Sequence, residues 1–287
     1  MAKLLDYKCV YSEFKGLLKI DPEKYGLKVP ELYQNAEDMV KTVLATRDEG
    51  GDPLLRLPID TIALAENIGA TVIYDTSTTG PRKNIDVVSS VKEVLDLPPA
   101  DPTRGRMAEI MKGLRLLKDK GEEPVFAIHG LFDTLNGLID MQKIIMEFAM
   151  DPALMQAVSD RIRNDIITVC LAAEEAGARL ITYSDGSGGI NVIGPRFAKK
   201  VVECFLYPLM KELDEKLAPG TKVQMCPKSG FMLTGCDKAD FKEVEEDKDE
   251  MWFENVLSAP EVRFTGTICN RELGTKKGGR LFYIELR

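Results

Sequence analysis

Two kinds of segment alternate along the 287-residue chain, and that alternation limits the folds open to it more than any other feature. Short apolar runs rich in Val, Ile, Leu and Phe end in polar or small residues: PLLRLPID (53–60), PVFAIHG (124–130), RLITYSDG (179–186), KVQMCP (222–227), VRFTGTIC (262–269) and RLFYIEL (280–286). Their length and composition predict strands. Between most of them lie longer stretches with apolar residues three and four apart, as in MAEIMKGLRLLKDKG, DPALMQAVSDRIRNDIITVCLAAEEAGA and GPRFAKKVVECFLYPLMKELDEKL. These predict helices, and the DP or GP that opens two of them suits a first helical turn. Strands that are apolar on both faces and separated by helices imply a parallel sheet. The predicted class is therefore α/β, with a closed (β/α)8 TIM-type barrel ahead of a doubly wound sheet, as one domain over residues 1–287. Only six strands are evident, so either two short ones lie hidden, before residue 30 and between 237 and 260, or the barrel is incomplete. The charge run DFKEVEEDKDE (240–250) reads as the solvated face of a helix.

With 44% hydrophobic and 29% charged residues the chain can bury a sizeable core. Its 46 acidic against 38 basic residues give a net charge of -8, the wrong sign for a phosphate-binding surface, which argues against a nucleic-acid partner. No apolar run approaches the roughly 20 residues needed to cross a bilayer, and the start, MAKLLDYKCVYSEFKG, lacks the apolar core of a signal peptide. A cytoplasmic location with no membrane partner is expected. Six cysteines, at 9, 170, 204, 226, 236 and 269, are sparse, and two fall inside helical patterns, so reduced thiols fit better than a disulfide framework.

Several chemistries are excluded. The glycine-rich loop DGSGGINVIG has Asn191 where a dinucleotide fingerprint needs its third glycine, and no phosphate loop with Gly-Lys-Ser/Thr exists. A nucleophile elbow at Ser187 would need glycine where Asp185 stands. The single histidine, His129, rules out zinc sites built on two or three imidazoles.

In a barrel of parallel strands the site forms at the C-terminal strand ends, where the sequence puts Asp60, His129, Asp185, Cys226 and Cys269. Each has two readings. Cys226 and Cys269 are either packed small apolar residues or thiolate ligands converging on zinc. Asp185 is a turn-forming carboxylate or a site residue, Asp60 a helix cap or a site residue, and His129 a satisfied buried imidazole or a catalytic one. Cys236, ten positions after Cys226, is a spare candidate.

From about 30 to 235 the chain resembles the uroporphyrinogen decarboxylase superfamily, which includes the zinc methyltransferases of corrinoid-dependent methyl transfer. PLLRLPIDTIALAENIGATV, PVFAIHGLFDTL and above all ARLITYSDGSGGINVIGPRFAKKVVECFLYPLMKEL carry the likeness. The decarboxylase branch has an Arg-Gln-Ala-Gly-Arg motif that binds an acidic tetrapyrrole, and nothing like it occurs before residue 47. The methyltransferase branch is closer. Its zinc motif, His-x-Cys with a distant Cys, corresponds to Gln224-Met225-Cys226 with Cys269, so glutamine replaces histidine and a carboxylate, Asp185 or Glu66, is expected in its place. The C-terminal pattern CPKSG, FTGTIC and LFYIEL resembles the methyltransferase components of anaerobic O-demethylases.

The resemblance implies zinc held by Cys226, Cys269 and a carboxylate, with His129 and Asp185 as catalytic residues. A small methylated substrate, a phenyl methyl ether first, would give its methyl group to a cobalt(I) corrinoid. The chain lacks the Asp-x-His-x-x-Gly motif of corrinoid carriers, because Ala127 stands two residues before His129, so the corrinoid arrives on a partner protein. Methyl transfer from a methylcorrinoid to a thiol, or a decarboxylase-like lyase activity, are the alternatives.

Overall fold

The computed structural model describes residues 20–49, 51–75, 80–245, 250–276 and 280–287. Its main sheet is built from β1 (Leu55–Leu57), β4 (Pro124–His129), β5 (Leu180–Ser184), β6 (Lys222–Met225), β7 (Ala239–Glu245), β8 (Phe264–Thr265) and β9 (Arg280–Leu286); β2 (Val72–Ile73) and β3 (Arg82–Lys83) form a separate two-stranded ribbon. The order across the sheet is β1-β4-β5-β6-β8-β9-β7. The first five run parallel, with β4 and β5 in register from Val125 opposite Leu180 to His129 opposite Ser184. Almost every residue of β4, β5 and β6 is buried, as expected of strands covered by helices on one face and by core on the other.

The architecture is the α/β barrel type expected from the sequence, and all six strands read there are present. Two features differ. β9 pairs antiparallel with both β8 and β7. No helix lies between β8 and β9 among the described residues, and a parallel crossover needs one or a comparable length of chain. The charge run expected on a helix is strand β7 through Glu245 and supplies the strand hidden between 237 and 260, while residues 246–249 lie outside the described residues. Phe241 turns inward against Phe231, with ring centroids 5.3 Å apart, whereas Lys242 and Glu243 stay exposed. A charged edge strand of this kind discourages pairing with another chain. The other hidden strand was expected before residue 30: residues 1–19 lie outside the described residues, and 20–30 contain only a 3-10 turn, Glu23–Tyr25.

The helices follow their apolar periodicity. Pro152–Glu175 starts where the Asp151 carboxylate accepts the N–H groups of Ala153 and Leu154, both at 3.0 Å, with proline in the first turn. It stops before Gly177, whose φ of 104° suits only glycine. The stretch 195–216 is helical throughout but widens to a π turn at Val202–Leu206. Pro208 explains it: a proline cannot donate to, and clashes with, the carbonyl four residues back, so the backbone loosens around Cys204. No described helix is long and apolar enough to cross a membrane.

Candidate active site at the strand ends

The five parallel strands deliver the residues singled out by the sequence to one edge. His129 is the last residue of β4, Asp185 and Cys226 immediately follow β5 and β6, Asp60 comes three residues after β1, and Cys269 four after β8. Chain direction alone puts all five on the C-terminal side of the sheet.

At the β4 and β5 ends two carboxylates exchange contacts. Asp185 is buried and reaches across to the start of helix Leu131–Asn136, where its two oxygens accept N–H groups from Asp133 (3.0 Å) and Phe132 (3.1 Å). Asp133 reaches back, accepting the N–H groups of Gly186 (2.8 Å) and Ser187 (2.9 Å). His129 lies beside it, with Nδ1 3.3 Å from Asp133 Oδ2 and 3.1 Å from Ser184 Oγ. Gly130 is required here, because a Cβ would sit 2.7 Å from Asp185 Oδ2 and closer still to the Tyr183 hydroxyl.

The environments push the two carboxyls apart. Burial, joined by the charge of Asp133, raises Asp185 well above its ordinary value despite the backbone N–H groups that oppose it. Burial also acts to raise Asp133, but the hydrogen bond and charge of His129, with Ser187, outweigh it and hold Asp133 below the ordinary range. An ionised Asp133 favours the imidazole proton on Nδ1, facing the carboxylate.

The two cysteines stand on segments that are tied together on both sides. Cys226 donates its N–H to the Tyr183 carbonyl (2.8 Å), extending the β5–β6 ladder, and Asn270, next to Cys269, donates Nδ2 to the same oxygen (3.1 Å). Two donors on one acceptor at those distances lie within about 6 Å of each other. On the other side, Gln224 Nε2 donates to the carbonyls of Met225 (2.8 Å) and Ile268 (2.9 Å), and its Oε1 accepts from the Thr265 hydroxyl. Gln224 is fully buried and acts as a strut between β6 and the loop that carries Cys269. Behind the pair, Gly230 and Gly266 pack backbone against backbone, since a Cβ on Gly230 would meet the Gly266 carbonyl oxygen at 2.6 Å. The Pro-Lys-Ser turn after Cys226 is the first turn of helix Pro227–Gly235, with Cys226 as its cap residue. Two buried oxygens beside Cys269, Thr267 Oγ1 and Asn270 Oδ1, have no hydrogen-bond partner.

The remaining candidates lie elsewhere. Asp60 caps the following turn through the Ile62 N–H (3.0 Å) and forms a two-oxygen ion pair with Arg106. Glu66, expected as an alternative zinc ligand, is held by the same guanidinium and by the Tyr74 hydroxyl at the β1 side, three strands from β6. Its carboxylate is already engaged there, sharing one guanidinium with Asp60. Cys236 caps the far end of helix Pro227–Gly235, about 14 Å along the axis from Cys226, and burial pushes its thiol up. Among the described residues no three His, Cys, Asp or Glu side chains gather as an ion site, and both oxygens of Asp185 accept backbone N–H groups. The expected carboxylate ligand is thus not gathered with the two cysteines.

Asp133, Ser184 and Asn270 were not singled out from the sequence. His129 ends β4 and Asp133 lies in the first turn of the helix that follows, so their meeting depends on the turn at Gly130 and not on a helical spacing legible in the sequence.

Comparison with known proteins places these features in a wider setting. A family profile described as "Uroporphyrinogen decarboxylase (URO-D)" matches residues 20–248. The chain is 22% identical over 228 residues to the methylcobamide:CoM methyltransferase MtaA of Methanosarcina barkeri, an alignment that covers 76% of this chain and 63% of that protein. Among solved structures it resembles a methyltransferase from Methanosarcina mazei, with a TM-score of 0.59 and 18% identity over 77% of this chain and 66% of that one. The chain thus spans just under two thirds of each relative.

Proposed function

The chain belongs to the uroporphyrinogen decarboxylase family, and from that premise we propose that it is a zinc-dependent methyltransferase that moves a methyl group from a small methylated compound, a phenyl methyl ether first, to the cobalt(I) corrinoid of a partner protein. The observation that carries this reading is the tying of the Cys226 and Cys269 segments to one carbonyl at the strand ends. Two thiols, the second flanked by buried oxygens without partners, suit a soft divalent cation, and Cys226 and Cys269 would hold it. When bound, zinc supplies Lewis acidity at the heteroatom that carries the methyl group.

The chain's own residues handle the proton. When the methyl carbon–oxygen bond breaks, its electron pair leaves on oxygen, and the reduced corrinoid provides the pair for the new carbon bond. His129 Nε2 gives the departing oxygen a proton, while Asp133 holds Nδ1 and stabilises the charged ring. Asp185 and Gly130 fix the turn on which His129 and Asp133 sit. The arginine pair of the tetrapyrrole-binding motif has no counterpart in residues 1–46, and Arg47 is engaged by Glu122, which weighs against the lyase alternative.

The likeness to a methylcobamide:CoM methyltransferase favours a second reading, in which the methyl group passes from a methylated corrinoid to a thiol. One experiment separates the two. The zinc-loaded protein is mixed with a reduced corrinoid protein and a panel of methyl ethers and methylamines, and separately with methylcobalamin and thiols, while the cobalt spectrum is followed. Conversion of cobalt(I) to methyl-cobalt(III) by an ether supports the first reading, and thiol-dependent loss of methylcobalamin the second. No turnover in either direction refutes both.

A further inference from the structure

Asn270 is held at one end of its amide only. Nδ2 donates to the Tyr183 carbonyl, while Oδ1 is buried without a donor. The orientation is fixed, because turning the amide over would set oxygen against oxygen. A buried acceptor left unmatched costs free energy and calls for a partner outside the chain's own hydrogen bonds. Thr267 Oγ1, two residues before Cys269, is in the same condition, so both flanks of that cysteine carry an unmatched oxygen.

Gln224 offers the contrast. It occupies the first position of the Gln224-Met225-Cys226 run, but its amide nitrogen serves two carbonyls and its oxygen takes the Thr265 hydroxyl. The amide is spent on joining β6 to the 266–270 loop. Glu66 is held by Arg106 on the β1 side, and the Asp185 oxygens accept backbone N–H groups.

We infer that Asn270 Oδ1 is the third protein ligand of a divalent cation held by the sulfurs of Cys226 and Cys269. The inference rests on the zinc reading above. The shared Tyr183 carbonyl keeps the Asn270 amide beside the Cys226 backbone, and Cys269 precedes Asn270 in the chain, so one short loop brings both donors to the end of β6. A set of two thiolates and one neutral oxygen carries two negative charges, which balances Zn²⁺, and binding releases the two thiol protons to solvent.

The test uses the full chain and metal binding alone. Zinc affinity is measured by competition with a chromophoric chelator, and cobalt(II) is substituted to read the ligand field, for the parent protein and for Asn270→Ala, Asn270→Asp and Cys226→Ala. Asn270→Ala is expected to weaken zinc binding about 10- to 100-fold and to shift the cobalt d–d bands while keeping sulfur-to-cobalt charge transfer. Asn270→Asp keeps an oxygen donor but loses the Nδ2 tie to the Tyr183 carbonyl, so it is expected to bind zinc less tightly than the parent yet more tightly than Asn270→Ala, an order that a purely structural role for the amide would not produce; it also serves if the alanine variant fails to fold. If Asn270→Ala binds zinc like the parent with an unchanged cobalt spectrum while Cys226→Ala loses the metal, the inference fails and the zinc reading stands. A parent protein that binds no cation overturns both.

Discussion

Replacing Gly230 by alanine probes how strictly the two cysteine segments depend on the contact behind them. The new Cβ would lie 2.6 Å from the Gly266 carbonyl oxygen and 3.2 Å from that residue's carbonyl carbon and Cα. Carbon and carbonyl oxygen settle no closer than about 3.3 Å, so one backbone must retreat by roughly 0.7 Å. Both partners are main chain, and no side-chain rotation relieves the overlap. Helix Pro227–Gly235 is anchored at Cys226, so the displacement falls on the loop 266–270. Its tie from Gln224 Nε2 to the Ile268 carbonyl is 2.9 Å, and a retreat of that size stretches it to the limit of a hydrogen bond. Overpacking and the lost bond together amount to about 2–4 kcal/mol, or a fall in Tm of roughly 5–15 °C for a chain of this length. Zinc affinity should drop at least about tenfold. Thermal melting with and without zinc, together with chelator competition, reads both effects. A Gly230→Ala protein that melts with the parent and binds zinc as tightly would show that the loop does not bear on the helix.

Three further outcomes are expected. Asp133→Asn removes the charge that holds His129 Nδ1, so the methyl-transfer rate should fall on the order of 10²-fold with a flattened pH–rate profile; an unchanged profile would remove the pair from the mechanism. Asp185, raised by burial, binds a proton more tightly in the folded chain than in the unfolded one. Its contribution is therefore full below the ordinary aspartate range and is lost as pH rises through its folded pKa, so urea midpoints of Asp185→Asn should depend less on pH than those of the parent above about pH 4. Arg106→Met leaves Asp60 and Glu66 facing each other without a cation, at a cost of about 3–5 kcal/mol in urea denaturation. Adding Asp60→Asn and Glu66→Gln should restore part of that loss, and no restoration would argue against a charge effect.

What the sequence made legible follows from which forces act locally. β4 and β5 are unbroken apolar runs because helices cover them, and they were readable to within two residues. β7 was not, because its exposed positions carry Lys242 and Glu243 and its inward Phe241 is too isolated to set a period. At the site, strand direction was enough to bring forward His129, Asp185, Cys226 and Cys269. The partners of those residues depend on contacts across long stretches of chain. Glu66 meets Arg106 forty positions away, and Asn270 meets Tyr183 eighty-seven positions away. The Tyr183 acceptor is a main-chain oxygen, a group every residue has, so no choice of side chain could have marked it.

That carbonyl has a mechanical consequence. It belongs to a central strand, and it grips both the residue that begins one thiol-bearing segment and the residue that ends the other. When β5 shifts, both grips travel with it. The spacing of the two segments at that point is therefore insulated from small rearrangements elsewhere in the sheet.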